Sequence, residues 1–173
     1  MAQRTDSFDL ARLRLTTGEA RRLDLEVVLD PVSFGGERYV VRPASAPVRV
    51  DVSRTTGLGY ALRVRFTVAL VGPCMRCLEP AELALAVDAR EVSQRGGIDE
   101  LTSPYVDEEE QLDVAGWARD ALVLALPAQI LCVAECAGLC AVCGENLNTA
   151  GGEHGHEREP DPRWAKLREL KLD

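Results

Sequence analysis

Residues 132–148 read Cys132-Val-Ala-Glu-Cys136-Ala-Gly-Leu-Cys140-Ala-Val-Cys143-Gly-Glu-Asn-Leu-Asn148, and a Gly-rich turn then leads to His154-Gly-His156. Four of the six cysteines and both histidines of the chain lie in this stretch, while Cys74 and Cys77 form a further Cys-x-x-Cys upstream. Thiolates and imidazoles at tight, turn-compatible spacing are the donors that zinc takes in closed tetrahedra. The eight donors suffice for two such centres. The expectation is zinc that holds structure and does no chemistry.

The simplest partition gives one ion Cys74, Cys77, Cys132 and Cys136, and a second ion Cys140, Cys143, His154 and His156. Gly144 permits the backbone reversal of a knuckle, and Gly155 lets both imidazoles reach one ion. A competing partition puts Cys132, Cys136, Cys140 and Cys143 on one local ion. It leaves Cys74 and Cys77 as a reduced pair and the two histidines in solvent.

Outward from the cysteines, the chain reads as an antiparallel sheet followed by one helix. Leu23, Leu25, Val27 and Leu29 alternate with polar residues, as do Val48, Val50 and Val52. After a turn at Gly57, Tyr60, Leu62, Val64, Phe66, Val68 and Leu70 repeat the alternation, and Leu83, Leu85 and Val87 resume it beyond Cys77. A period of two marks half-buried strands. The first Cys-x-x-Cys therefore falls in a strand connection. Asp113 is placed to cap a helix over residues 114–126, with Leu112 and Trp117 as a hydrophobic staple. Beyond Ala121 that helix is apolar nearly all round, so its end is expected to be deeply buried. Pro127 stops it.

The fold expected is α+β: a curled antiparallel β-sheet with one buried helix and a cysteine-rich zinc-binding segment. Residues 1–130 would form the sheet-plus-helix core. Residues 131–173 would form a zinc-knuckle segment and C-terminal tail packed on the same domain, with Trp164, Leu167 and Leu170 on one side of a short amphipathic stretch.

The net charge of −8 disfavours a protein that coats nucleic acid. Residues 1–72 alone are basic on balance, with 11 Arg against 8 acids. Arg49, Arg54, Arg63 and Arg65 would face outward as a stripe, although Asp51 and Thr67 on the same surface favour an ordinary solvated face. The acidic run 107–110 lacks the spaced ligands of a calcium loop. No apolar run approaches the roughly 18 residues needed to span a bilayer, and the N-terminus has no signal-peptide core. A cytoplasmic chain keeps its thiols reduced, which favours metal over disulfides. The first Cys-x-x-Cys lies between strands, not at the start of a helix in a βαβ unit, so a thioredoxin-like role is not expected. Nothing in the residues suggests an enzyme or a small-molecule substrate.

The order strand, Cys-x-x-Cys, strand, acidic loop, helix, then Gly138-Leu-Cys140-Ala-Val-Cys143-Gly-Glu-Asn146-Leu-Asn148 and Asp161-Pro-Arg163 resembles the YceD family, named for accumulation of the large-subunit ribosomal RNA. The likeness runs from about Phe8 to the end. Many members follow Leu-Asn with a Cys-x-Cys, where this chain has His154-Gly-His156. The resemblance implies a non-enzymatic ribosome-biogenesis factor, bacterial or organellar. Its partner would be pre-ribosomal RNA or a large-subunit ribosomal protein. The alternative is a zinc-dependent redox-sensing chaperone.

Overall fold

The computed structural model describes residues 6–57, 59–94, 101–151 and 154–156. The amphipathic stretch with Trp164, Leu167 and Leu170, and Asp161-Pro-Arg163, lie outside the described residues.

The spine is a long hairpin. Strands β6 (Tyr60–Pro73) and β7 (Pro80–Ser93) pair antiparallel along their whole length, from Tyr60↔Ser93 to Pro73↔Pro80. The alternation in β6 does what its period requires: Tyr60, Leu62, Val64, Phe66, Val68 and Leu70 are all buried on one face. The other edge of β6 is shared. Strand β5 (Ser45–Arg54) takes residues 60–65, and β4 (Glu37–Arg42) takes residues 69–71. β2 (Ala20–Val28) continues the sheet beyond β5, and β3 (Val32–Phe34) beyond β4. The sheet thus forks beside Phe66 and Val68, and it is open, with β2, β3 and β7 as edges.

A second, two-stranded sheet joins β1 (Ser7–Asp9) to β8 (Gln111–Asp113), with Phe8 opposite Leu112. A 3-10 turn over Leu10–Leu13 follows β1, and helix α1 (Val114–Leu124) follows β8 directly. Asp113 caps α1, its Oδ1 accepting from the Gly116 N–H at 2.9 Å. Leu112 and Trp117 are both buried, as a staple demands, and Val114, Ala118, Ala121 and Leu122 complete the buried stripe. The helix touches β2, β7 and β1. Among the described residues this is an α+β architecture of sheet with one α-helix.

One sequence expectation changes here. The helix stops at Leu124 and not at residue 126, and its end is not deeply buried: Leu124 is 85% exposed and Val123 42%. At 100° per residue Val123 points away from the Trp117–Ala121 stripe, and Leu124 flanks it in the last turn. The arginines make no free basic stripe, in line with the solvated face that Asp51 and Thr67 favoured. Arg49 pairs with Asp24 at 3.1 Å and Arg63 with Asp88, whose Oδ1 accepts from Nε at 2.7 Å. Arg65 bonds Asp51, which also takes Arg22 at 3.1 Å. Arg54 reaches Glu110 at 3.4 Å and lies over the Tyr60 ring. Acids on neighbouring strands cancel the charge of Arg49, Arg63 and Arg65 on the solvated sheet face, whereas Arg54, only 13% exposed, turns to the Tyr60 side and pairs with Glu110.

Candidate metal centres

The β6–β7 hairpin closes through a knuckle. The Cys74 N–H donates to the Glu79 carbonyl at 2.7 Å, the Leu78 N–H to the Cys74 carbonyl at 3.0 Å, and the Arg76 N–H to the Cys74 Sγ at 3.5 Å. Leu78 takes up the reversal at φ 64°, an unfavourable value for a residue with a Cβ. The same bonds recur 66 positions later. The Cys140 N–H donates to the Glu145 carbonyl at 2.8 Å, the Gly144 N–H to the Cys140 carbonyl at 2.8 Å, and the Val142 N–H to the Cys140 Sγ at 3.4 Å. Gly144, at φ 77°, stands where Leu78 stood. Two Cys-x-x-Cys-x segments have thus folded into one repeated device, whose N–H groups point at sulfur.

Each knuckle meets two further donors. After α1 the chain returns to the first knuckle, where the Met75 N–H donates to the Ile130 carbonyl at 2.9 Å and the Ile130 N–H approaches the Met75 Sδ at 3.2 Å. That contact brings in Cys132 and Cys136. Cys77 and Cys132 have their sulfurs 3.5 Å apart, and Cys74 and Cys136 have theirs 3.7 Å apart. Zinc–sulfur bonds of about 2.3 Å in a tetrahedron give sulfur–sulfur edges of about 3.8 Å. A disulfide would need about 2.05 Å, and all six cysteines are free. Cys74, Cys77 and Cys136 are buried.

At the second knuckle, the Cys143 Sγ lies 3.6 Å from the His154 Nε2. A tetrahedral zinc–thiolate–imidazole edge is about 3.5 Å. The Glu145 carboxylate holds the other ring nitrogen of His154, Nδ1, at 3.0 Å. A carboxylate on the far nitrogen is the usual support of a ligating histidine. His156 stands edge-on to His154, with ring centroids 4.9 Å apart. Cys143 and His156 are exposed, in contrast to the first group.

Within each group of four the candidate ligand atoms all lie within 4.8 Å of one another, so each group could hold a metal ion. The eight residues singled out by spacing are thus brought together as two fours. The local alternative, with Cys132 and Cys136 beside Cys140 and Cys143, is not how the chain folds. Sequence reasoning passed over the supporting shell: Glu145 on His154, the Arg76 N–H on Cys74, and Asn148, whose Nδ2 donates to the Cys136 Sγ at 3.3 Å. A knuckle's own backbone donors follow from Cys-x-x-Cys, but Glu145 and Asn148 had no such rule to announce them.

The electrostatics draw Cys74, Cys136 and Cys140 toward the thiolate and hold Cys77 and Cys132 back from it. Burial works against ionisation of Cys74, yet the N–H groups of Arg76, Cys77 and Cys132 outweigh it and bring the thiol down to about 6. The His154 hydrogen bond, with the Cys143 and Val142 N–H groups, brings Cys140 to about 6. Asn148 leads the effects that lower Cys136, whereas burial pushes Cys77 up to about 12. Each knuckle thus has one thiol drawn toward ionisation, Cys74 in the first and Cys140 in the second, before a cation joins them.

The family model described as "Large ribosomal RNA subunit accumulation protein YceD" matches residues 62–171, which include all eight candidate ligands. The chain belongs to the YceD family. An uncharacterized protein of Mycobacterium tuberculosis is 34% identical over 173 residues, covering 95% of this chain and 80% of the relative. One of Mycobacterium leprae is 28% identical over 94% of this chain and 76% of its own length. A maize protein named "Large ribosomal RNA subunit accumulation protein YCED homolog 1, chloroplastic" is 30% identical over 59% of this chain and 45% of its own. No solved structure matches significantly. Among the described residues no helix is long and apolar enough to cross a membrane.

Proposed function

We propose that this YceD-family chain is a non-enzymatic, cytoplasmic ribosome-biogenesis factor. Its two structural zinc ions would fix a docking surface for a large-subunit component. Cys74, Cys77, Cys132 and Cys136 hold one ion, and Cys140, Cys143, His154 and His156 the other. The carrying observation is the repeated knuckle, each copy meeting two further soft donors so that all four ligand atoms lie within 4.8 Å of one another. Four donors complete a structural site and leave no position for a reacting water. Residues 131–173 would then be the zinc-knuckle segment and C-terminal tail of the same domain as the sheet-and-helix core of residues 1–130.

The ribosomal role rests on the family and on the maize relative's name. The apolar residues at the knuckles support docking: Leu78, Val133, Leu139 and Val142 are all exposed, each beside a candidate ligand. Exposed Glu79, Glu135 and Glu145 accompany them. That acidic setting, together with neutralised arginines on the sheet, favours a basic ribosomal protein over RNA phosphates as the direct contact.

Metal analysis with thiol counting on the native protein tests the first half. About two zinc ions and no reactive thiols are expected. Metal-free protein with readily oxidised pairs would instead favour the redox-sensing chaperone. Sedimentation with large-subunit precursors, before and after removal of metal by a chelator, tests the second half. Association that is absent, or indifferent to the metal, overturns the docking role.

A further inference from the structure

The segment that carries the second centre also reaches into the first. Asn148 lies between Cys143 and His154, and its carboxamide is committed on both sides. Its Oδ1 accepts from the Ala137 N–H at 2.8 Å, while its Nδ2 donates to the Cys136 Sγ at 3.3 Å and to the Asn146 Oδ1 at 2.8 Å. The Ala137 N–H can only donate, which fixes the amide orientation and turns Nδ2 to the sulfur. The surrounding chain is stitched in the same way. The Leu147 N–H donates to the Gly138 carbonyl at 2.9 Å, Leu139 bridges Asn146, and Gly138 packs so closely that an added Cβ would sit 3.3 Å from the Arg76 carbonyl.

Four thiolates around one divalent ion carry a net charge of about −2. In a buried site that charge needs N–H donors, and Cys136 is 1% exposed. Beside the Gly138 N–H, the side-chain donor to Cys136 is Asn148, which the second centre's own loop holds. We propose that Asn148 couples the two centres: an ion on Cys140, Cys143, His154 and His156 pins the loop that presents the Asn148 amide to Cys136, and so tightens the metal held by Cys74, Cys77, Cys132 and Cys136. The coupling rests on the zinc assignment above, and linkage makes it reciprocal. Asn148 is a positioning residue. It touches a ligand and not the ion.

Cobalt(II) titration of the full chain against a chelator reads the two centres separately, because four-sulfur and mixed sulfur–nitrogen sites differ in their charge-transfer and ligand-field absorption. Asn148→Asp keeps an oxygen for the Ala137 N–H but removes the donor to sulfur. Cys140→Ser with Cys143→Ser empties the second centre. Each change is expected to weaken the four-cysteine centre about 10-fold, the usual effect of losing a supporting contact. Combined, they should weaken it no more than either does alone. If the Asp variant does not fold, Asn148→Ser replaces it in the same cycle.

An unchanged four-sulfur affinity in either variant, or effects that multiply, overturns the coupling and leaves two independent metal centres. Full affinity in the Asp variant would reduce Asn148 to an acceptor for Ala137 and also overturn it. Failure of the native chain to bind cobalt at either group would overturn the metal assignment, and the coupling with it.

Discussion

Replacing Cys74 with serine should cost far more than replacing His156 with alanine, although each removes one ligand. Cys74 sits at the tip of the β6–β7 hairpin, and its sulfur approaches that of Cys136 across a separation of 62 residues. Cys143 and His154 close only 11. Loop closure alone makes the longer cross-link worth about 1.5 kcal/mol more. Serine would also leave a hydroxyl at a position with no exposure, for about 1–3 kcal/mol. The larger loss is the metal. Structural zinc contributes on the order of 10 kcal/mol, comparable to the stability of a whole domain. Cys74→Ser should therefore lose one zinc and at least about 4 kcal/mol, a fall in Tm of about 10 °C or more. His156 is exposed, so water can replace it on the ion. Its removal should cost about 1–2 kcal/mol and leave the four-cysteine ion bound. Zinc stoichiometry and thermal melts of the two variants decide the matter. Loss of all metal from both variants would refute the two-centre assignment, and full metal content in Cys74→Ser would refute Cys74 as a ligand.

The sheet face offers a pH test. Burial would raise the Asp51 carboxyl, but Arg22 and Arg65 outweigh it and hold the group below the ordinary aspartate value. A depressed folded value means that this contribution is complete at neutral pH and disappears as the pH falls through the folded value. Asp51→Asn should cost about 1 kcal/mol or less at neutral pH, and should flatten the acid limb of stability in urea titrations below about pH 4. An unaltered acid limb would show that Asp51 does not titrate as placed. On helix α1, Trp117→Ala should destabilise by about 3–5 kcal/mol and Leu124→Glu by no more than about 0.5 kcal/mol in urea denaturation. A large cost at Leu124 would mean that its last turn is covered.

Much of this was open to inspection before any coordinates. The period-two runs of β2, β5, β6 and β7 are long enough to declare both strand and buried face, and Asp113 with Leu112 and Trp117 announced the helix start. The cysteine spacing proposed two groups of four, and the fold brings those same residues together. What stayed hidden had no period to show. β1, β3 and β8 are three residues each, and Ser7↔Asp113 joins positions over a hundred residues apart. The fork at Phe66 depends on which strand wins each half of the β6 edge, a tertiary choice. Leu124 misled because apolarity around a helix implies cover only where another element is there to supply it. The partners of the arginines stayed hidden because acids such as Asp88 come from strands distant in sequence.

The hairpin also gives the four-cysteine centre an order of birth. Its two strands are joined by a short turn and can zip within microseconds once translated. Cys132 and Cys136 follow 55 and 62 positions behind their partners Cys77 and Cys74. At about 5–20 residues per second, they emerge from the ribosome about 3–12 s later. A nascent chain thus carries a finished knuckle with half its donors for seconds. The centre is completed only as α1 and the segment behind it leave the exit tunnel, so an interrupted chain would display two unmatched thiols.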